Sequence, residues 1–138
     1  MVSFKLCISD PSSGRTFQRE VKDNLARPFI GLNIGETIKG DNFEIAGYEF
    51  QITGGSDYCG FPMRKDVVGT VRRRIFATKG TGIKGLDHGE RIRKSVAGNT
   101  IFDNTSQVNL KVLKHGKEPL APKEEAAAEG EKKQETAA

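Results

Sequence analysis

Three groups of residues in this 138-residue chain have side chains able to do chemistry, and each group makes its own geometric demand. Asp57, Cys59 and His88 are the types of an orienting carboxylate, a nucleophile and a base, a set that works only within mutual hydrogen-bond reach. The chain has two histidines, His88 and His115, the second beside a charged tail, and no carboxylates at acid–base spacing, so no enzyme is expected. Asp57 is better suited to accept hydrogen bonds from the backbone amides of its own turn. Gly80-Thr81-Gly82-Ile83-Lys84-Gly85 spells G-x-G-x-x-G, which binds a dinucleotide only where it ends a strand and opens a helix. The next residues, Leu86-Asp87-His88-Gly89-Glu90, contain another glycine and no apolar helical face, and no Lys-Ser or Lys-Thr follows Gly85 as in a P-loop. A basic loop, mobile through mutual repulsion of its charges, is expected instead. Cys7 and Cys59 form no Cys-x-x-Cys pair and the histidines have no zinc-site spacing, so free thiols in a reducing compartment are expected, with no metal and no cofactor.

The third group is the positive charge. From Arg64 to Lys94, ten basic residues stand against three acids, a net +7 in a chain whose total is +4. Residues 118–138 carry six acids and three lysines, so the basicity lies in one segment. Lysine and arginine often merely solvate a surface. Here arginine dominates, and its planar fork suits phosphate oxygens; acids are scarce, and glycine loops allow backbone to approach a sugar-phosphate chain. The candidate nucleic-acid or phosphate contacts are Arg64, Lys65, Arg72, Arg74, Lys79, Lys84, Arg91, Arg93 and Lys94. On an extended strand Arg72 and Arg74 share one face while Arg73 shares the other with Val71 and Ile75, which makes Arg72 and Arg74 the preferred contacts. Arg91 and Arg93 repeat this arrangement about Ile92. No aromatic platform accompanies the charges, so recognition of backbone and shape is expected rather than base reading.

Such charges need a scaffold. Val2, Phe4, Leu6 and Ile8 alternate with Ser3, Lys5, Cys7 and Ser9, the period of a half-buried strand. Asp10 to Gly14 turns the chain, and Thr16 to Val21 completes a first hairpin. Glycines at 31, 35, 40 and 47 leave no room for an amphipathic helix, so residues 23–47 read as loops with a short strand or two. Tyr48-Phe50-Ile52, the stretch from Val71 to Thr78, and Val108-Leu110-Val112 read as further strands. Many short strands between glycine turns predict a mainly β fold, a small barrel or a strongly curled antiparallel sheet. Its expected core is Phe4, Leu6, Ile8, Tyr48, Phe50, Ile52, Val71, Phe76, Leu110 and Val112. Residues 1–116 form the expected domain, and 117–138, rich in Ala, Glu and Lys, an expected disordered tail. No apolar run approaches the ~18 residues of a membrane span and no signal-peptide h-region is visible, so a cytoplasmic protein without membrane partners, monomeric when isolated, is expected.

Four blocks in order resemble the eukaryotic- and archaeal-type small-subunit ribosomal protein six family. They are Lys5 to Ser9 with Pro11 and Gly14; Gly47-Tyr48 through Ile52-Thr53-Gly54-Gly55-Ser56-Asp57; Gly60-Phe61-Pro62-Met63; and Gly89 to Val96 with Gly98. The G-G-x-D-x-x-G-F-P-M string is long and chemically unusual. The resemblance implies a β-rich domain on the ribosome, bound to small-subunit ribosomal RNA and neighbouring ribosomal proteins, without catalysis. Within that string Gly54-Gly55 is expected to let the chain turn sharply against RNA or a neighbouring strand. Phe61-Pro62-Met63 would pin the corner into the core. Eukaryotic members carry a long basic helical extension with phosphorylation sites; the short acidic tail here implies the archaeal form, and that regulation is not carried over. Two other functions fit the residues less well: an adaptor holding an acidic protein on the basic face, and a phosphate-ligand enzyme using the glycine loop.

Overall fold

Alternation in the first residues becomes strand β1 (Ser3–Asp10), whose Phe4, Leu6 and Ile8 are buried. The computed structural model describes residues 2–117 and Leu120. After a turn at residues 11–14 the chain returns as β2 (Arg15–Lys22), antiparallel to β1. Two 3-10 turns, Asp23–Leu25 and Arg27–Phe29, precede the short β3 (Thr37–Lys39), and a third, Gly40–Phe43, precedes β4 (Glu49–Asp57). The strands β5 (Arg73–Ala77), β6 (Ile92–Val96) and β7 (Thr105–Lys114) complete the described elements.

The main sheet has five strands in the order β2-β1-β7-β4-β3, and β5 and β6 form a separate antiparallel hairpin. The first hairpin, the loop-and-turn character of 23–47 and the mainly β composition are as expected. The barrel is not. The sheet is open and not strongly curled, with β2 and β3 as unpaired edges. Nor is it wholly antiparallel, because β1 and β7 run parallel. Closure would require β2 to pair with β3, yet β3 offers three residues, and β2 buries only Val21 while exposing Arg15, Arg19, Glu20 and Lys22. Charged side chains on a short or irregular edge discourage further pairing.

What covers the apolar face is the glycine-punctuated segment. Register aligns Leu6 with Val108, Ile8 with Leu110, Ile52 with Leu110, and Ile38 with Phe50, so one face of the sheet is a continuous apolar surface. Over it lie Ala26, Phe29, Phe43 and Ile45 from the turns, with Ile101 from the segment before β7. The rings run in a chain: Phe4 to Phe29 at 6.4 Å, Phe29 to Phe43 at 5.1 Å, Phe43 to Phe50 at 5.4 Å, and Phe50 stacked on Tyr48 at 5.7 Å. Each fully buried ring contributes about 1.5–3 kcal/mol of apolar transfer. Eight of the ten expected core residues are buried, but Val71 and Phe76 are not, at 66% and 60% exposed. Both lie in or just before the outlying hairpin, where only one face has the body to pack against. The expected tail, 117–138, lies outside the described residues except for Lys117 and Leu120. Leu120, past the expected boundary at 116, packs half-buried against the core.

Candidate nucleic-acid interface

Gly54 and Gly55 do not make the expected sharp turn. Both lie within β4, where the register against β7 shifts between Ile52 and Gly54. Gly55 runs so close to β7 that a Cβ there would collide with the Gln107 carbonyl and lie 3.1 Å from Met63 Sδ; Gly54 faces open space. The glycine therefore serves close approach to a neighbouring strand.

Asp57 ends β4 and organises the corner that follows. Its Oδ1 accepts the amides of Cys59 at 2.8 Å and Phe61 at 3.2 Å, the role expected of it. Gly60, at φ +84°, donates its N–H to the Asp57 carbonyl at 3.0 Å, closing a turn that needs a left-handed residue. The chain then folds back on β4 through Asp57 N–H to Phe61 O at 3.0 Å and Met63 N–H to Gly55 O at 2.9 Å. From there it meets the end of β6 through Ala97 N–H to Pro62 O and Arg64 N–H to Ala97 O, at 2.9 and 3.2 Å. Gly60-Phe61-Pro62-Met63 is thus the joint between the main sheet and the hairpin. Met63 alone of Phe61, Pro62 and Met63 enters the core; Phe61 and Pro62 are half-buried, which corrects the expectation that all three do.

The free oxygen of Asp57 engages an arginine. Arg72 Nε and Nη2 donate to Asp57 Oδ2 at 2.9 and 2.6 Å, and the guanidinium sits 4.3 Å above the Phe61 ring and 5.7 Å from that of Tyr58. The Asp57 carboxylate, and after it the Cys59 thiol, drive the Arg72 pKa above its ordinary value. Arg72 also precedes β5, which starts at Arg73. The expected side-by-side pair of Arg72 and Arg74 is therefore corrected: Arg72 is turned inward onto the corner. Arg64 is similarly committed. Only 11% of its side chain is exposed, and its Nη2 donates to Asp66 Oδ2 at 2.7 Å while Nη1 reaches the Thr81 carbonyl at 3.2 Å. It ties the glycine loop to the body.

That loop opens no helix. Residues 80–90 are turns with Gly80, Gly82, Gly85 and Gly89 at positive φ, and Ile83, 8% exposed, anchors them. The dinucleotide geometry demanded of G-x-G-x-x-G is not met. A second possible catalytic set, Ser12, His115 and Asp10, also lacks the required order. Asp10 Oδ1 approaches the same His115 Nε2, at 3.5 Å, that lies 3.3 Å from Ser12 Oγ, and it accepts the Ser12 hydroxyl directly. A triad needs the carboxylate on the other ring nitrogen. Among the described residues no three metal-ligating side chains gather.

Of the remaining cations, three meet at the hairpin. An open groove of about 490 Å³ is lined by Phe61, Pro62 and Gly82 together with Arg74, Arg93, Lys94 and Ser95. In this way the structure brings Arg74, Arg93 and Lys94 together, from two strands that are adjacent only through pairing. Arg91 lies with its guanidinium 6.0 Å from the Phe76 ring. Lys65, Lys79 and Lys84 are exposed on the loops, outside the groove lining. Phe76, expected in the core, is instead 60% exposed on the hairpin. Its position two after Arg74 was the available signal, since alternation places it on the charged face.

Residues 4–123 match the family model for ribosomal protein S6e. The chain belongs to the ribosomal protein S6e family. Relatives named small ribosomal subunit protein eS6 agree with it almost end to end. That of Methanosphaera stadtmanae is 45% identical over 132 residues, covering 96% of this chain and 98% of that protein. The eS6 of Methanoculleus marisnigri is 42% identical over 132 residues, 94% of this chain and all of that protein. The Archaeoglobus fulgidus protein is 43% identical over 120 residues, 86% and 93%. The S6e match includes the corner, the glycine loop and the hairpin.

Proposed function

We propose that this chain is a structural constituent of the small ribosomal subunit and binds ribosomal RNA through the outer side of the β5–β6 hairpin. S6e proteins are ribosomal components, not enzymes, and the relatives carry the small subunit in their names. The observation that carries the RNA reading is the groove in which Arg74, Arg93 and Lys94 converge beside half-buried apolar residues. Three cations around one open groove fit a backbone whose charges are regularly spaced and accessible. Arg74 and Arg93 are the main contacts, with Lys94 beside them and Lys65, Lys79, Lys84 and Arg91 contributing field. Arg64 and Arg72 act indirectly, by fixing the loop and the corner that flank the groove.

The test is the salt dependence of binding to small-subunit ribosomal RNA. Each phosphate contact should contribute roughly −0.7 to −0.9 to the slope of log K against log salt. Replacing both Arg74 and Arg93 with Ala should flatten that slope by about 1.5 while the thermal midpoint stays put. A flat slope for the unmodified protein, or equal affinity for polyglutamate, would overturn the reading in favour of an adaptor for acidic proteins.

A further inference from the structure

Phe76 is a large apolar ring left 60% exposed. Pairing of β5 with β6 sets Arg74 opposite Ser95 and Phe76 opposite Arg93, and directly opposed residues of an antiparallel pair project to the same side. The other side of the hairpin carries Ile75, Ala77, Ile92 and Val96, buried or half-buried toward the body, together with the exposed Arg73 and Lys94. The outward side therefore presents one large aromatic ring, 60% exposed, framed by Arg74 along its own strand and Arg93 across the ladder, with Arg91 nearby. Alternation forces some residue to point outward at position 76, but it does not force a phenylalanine. Strand propensity would be met by threonine or valine, with less apolar surface in water.

A complement to this surface must have a flat apolar face and negative charge on either side. An unpaired nucleotide within an RNA chain has both, whereas a paired duplex presents phosphates and buries its base faces. An acidic peptide supplies charge without a ring. The groove beside the face extends the same geometry: it shares Arg74, Arg93 and Ser95 and is about 490 Å³, a volume that accommodates a sugar-phosphate turn leading away from the stacked base. We infer that Phe76 is a stacking seat for one unpaired RNA base, with Arg74 and Arg93 holding the phosphates that flank it. The inference rests on the RNA-binding reading and adds a class of target, an unpaired nucleotide rather than a continuous helix. It also replaces the expectation of recognition by backbone and shape alone.

The experiment uses the full chain and two RNA hairpins identical except for a single bulged 5-iodouridine in one. The unmodified protein should favour the bulged RNA, and irradiation should cross-link the iodouridine to Phe76, read by peptide mass spectrometry. Phe76→Ala should lose affinity for the bulged RNA by roughly five- to a hundredfold, the range for one base on one aromatic ring. The paired RNA should be bound as before, with an unchanged salt slope. Phe76→Tyr should restore the preference, and circular dichroism should give all three proteins the same thermal midpoint. Equal affinity of Phe76→Ala and the unmodified protein for the bulged RNA would overturn the stacking seat while a steep salt slope left RNA binding standing. Equal losses on both RNAs would overturn it too, since no base would be distinguished. Failure of the unmodified protein to bind either RNA with a salt slope would instead sink the functional reading beneath it.

Discussion

Two arginines separated by one residue have different physical situations, and the difference is measurable. Arg72 completes a network in which Asp57 accepts two amides and a guanidinium, so removing either partner strands buried or half-buried polar groups. Asp57→Ala should cost about 2 kcal/mol or more in a denaturant titration, because the amides of Cys59 and Phe61 lose their acceptor. Arg72→Ala should lower the thermal midpoint by several degrees, while Arg74→Ala should leave it within error and weaken RNA binding instead. An unmoved midpoint for Arg72→Ala would return that residue to the set of free phosphate contacts. Asp10 offers a second residue-scale test. The Ser12 hydroxyl foremost, then the Ser12 amide, the Ser13 hydroxyl and His115, hold its carboxyl at about 2, against an ordinary value of 3.8. A depressed carboxylate stabilises the fold at pH above the unfolded value, and that contribution disappears as pH falls through the folded value. The 10–14 turn should therefore stay intact at pH 4 and loosen near pH 2. The Ser12 amide shift should titrate with a midpoint of about 2, and Ser12→Ala should move the Asp10 midpoint up toward 3.8.

At the scale of elements, the glycine pair in β4 separates a packing constraint from a conformational one. Gly55→Ala should be destabilising by about 1–3 kcal/mol, since the new methyl meets the β7 backbone at Gln107, which cannot move without breaking the ladder. Gly54→Ala meets nothing within 4 Å and has no positive φ, so it should be neutral or stabilise by up to about 1 kcal/mol through the unfolded chain. Similar costs for the two variants, measured by urea midpoint, would contradict the close-approach explanation. These elements also mark what the sequence makes legible. β1, β7 and the first half of β4, to Ile52, are legible because buried apolar residues alternate there with wetter ones, so alternation reports burial directly; the second half of β4, through Gly54-Gly55, has no such alternation. In β5 apolar residue type is a poor guide to burial. Val71 and Phe76 are apolar but lie just before and on an outlying hairpin, and apolar type alone does not say whether anything lies opposite. The position of Arg72 is hidden from the sequence for a related reason: its partner Asp57 is 15 residues away, and the turn that joins them leaves no periodic trace.

The molecule as a whole divides into parts of unequal rigidity, and the division follows from how the strands are paired. Residues 5–9 and 107–111, a hundred residues apart, are brought together by the parallel pairing of β1 with β7, a contact no local pattern encodes, so short strands between glycine turns predict a barrel where the sheet is open and mixed. In the result β1, β7 and β4 each have a strand on both sides, and their inward residues are almost wholly buried. The hairpin has only its own two strands, and of its residues only Val96 is fully buried. Its attachment runs through the Pro62–Ala97 and Arg64–Ala97 hydrogen bonds and through Arg64 on the glycine loop. Opening free energy follows buried contact, so the hairpin should open locally while the sheet opens only with global unfolding. Amide hydrogen exchange should find Arg74, Phe76 and Arg93 exchanging on the order of a hundredfold faster than Leu6, Ile52 and Leu110. On adding the bulged RNA, protection should rise across β5 and β6 and stay constant in β7. Uniform protection in the free protein would mean the joint at residues 60–63 transmits the rigidity of the sheet, and the surface would then meet RNA already set. A gain confined to the hairpin would mean that binding itself orders the face carrying Arg74, Phe76 and Arg93, with part of the binding free energy used to do so.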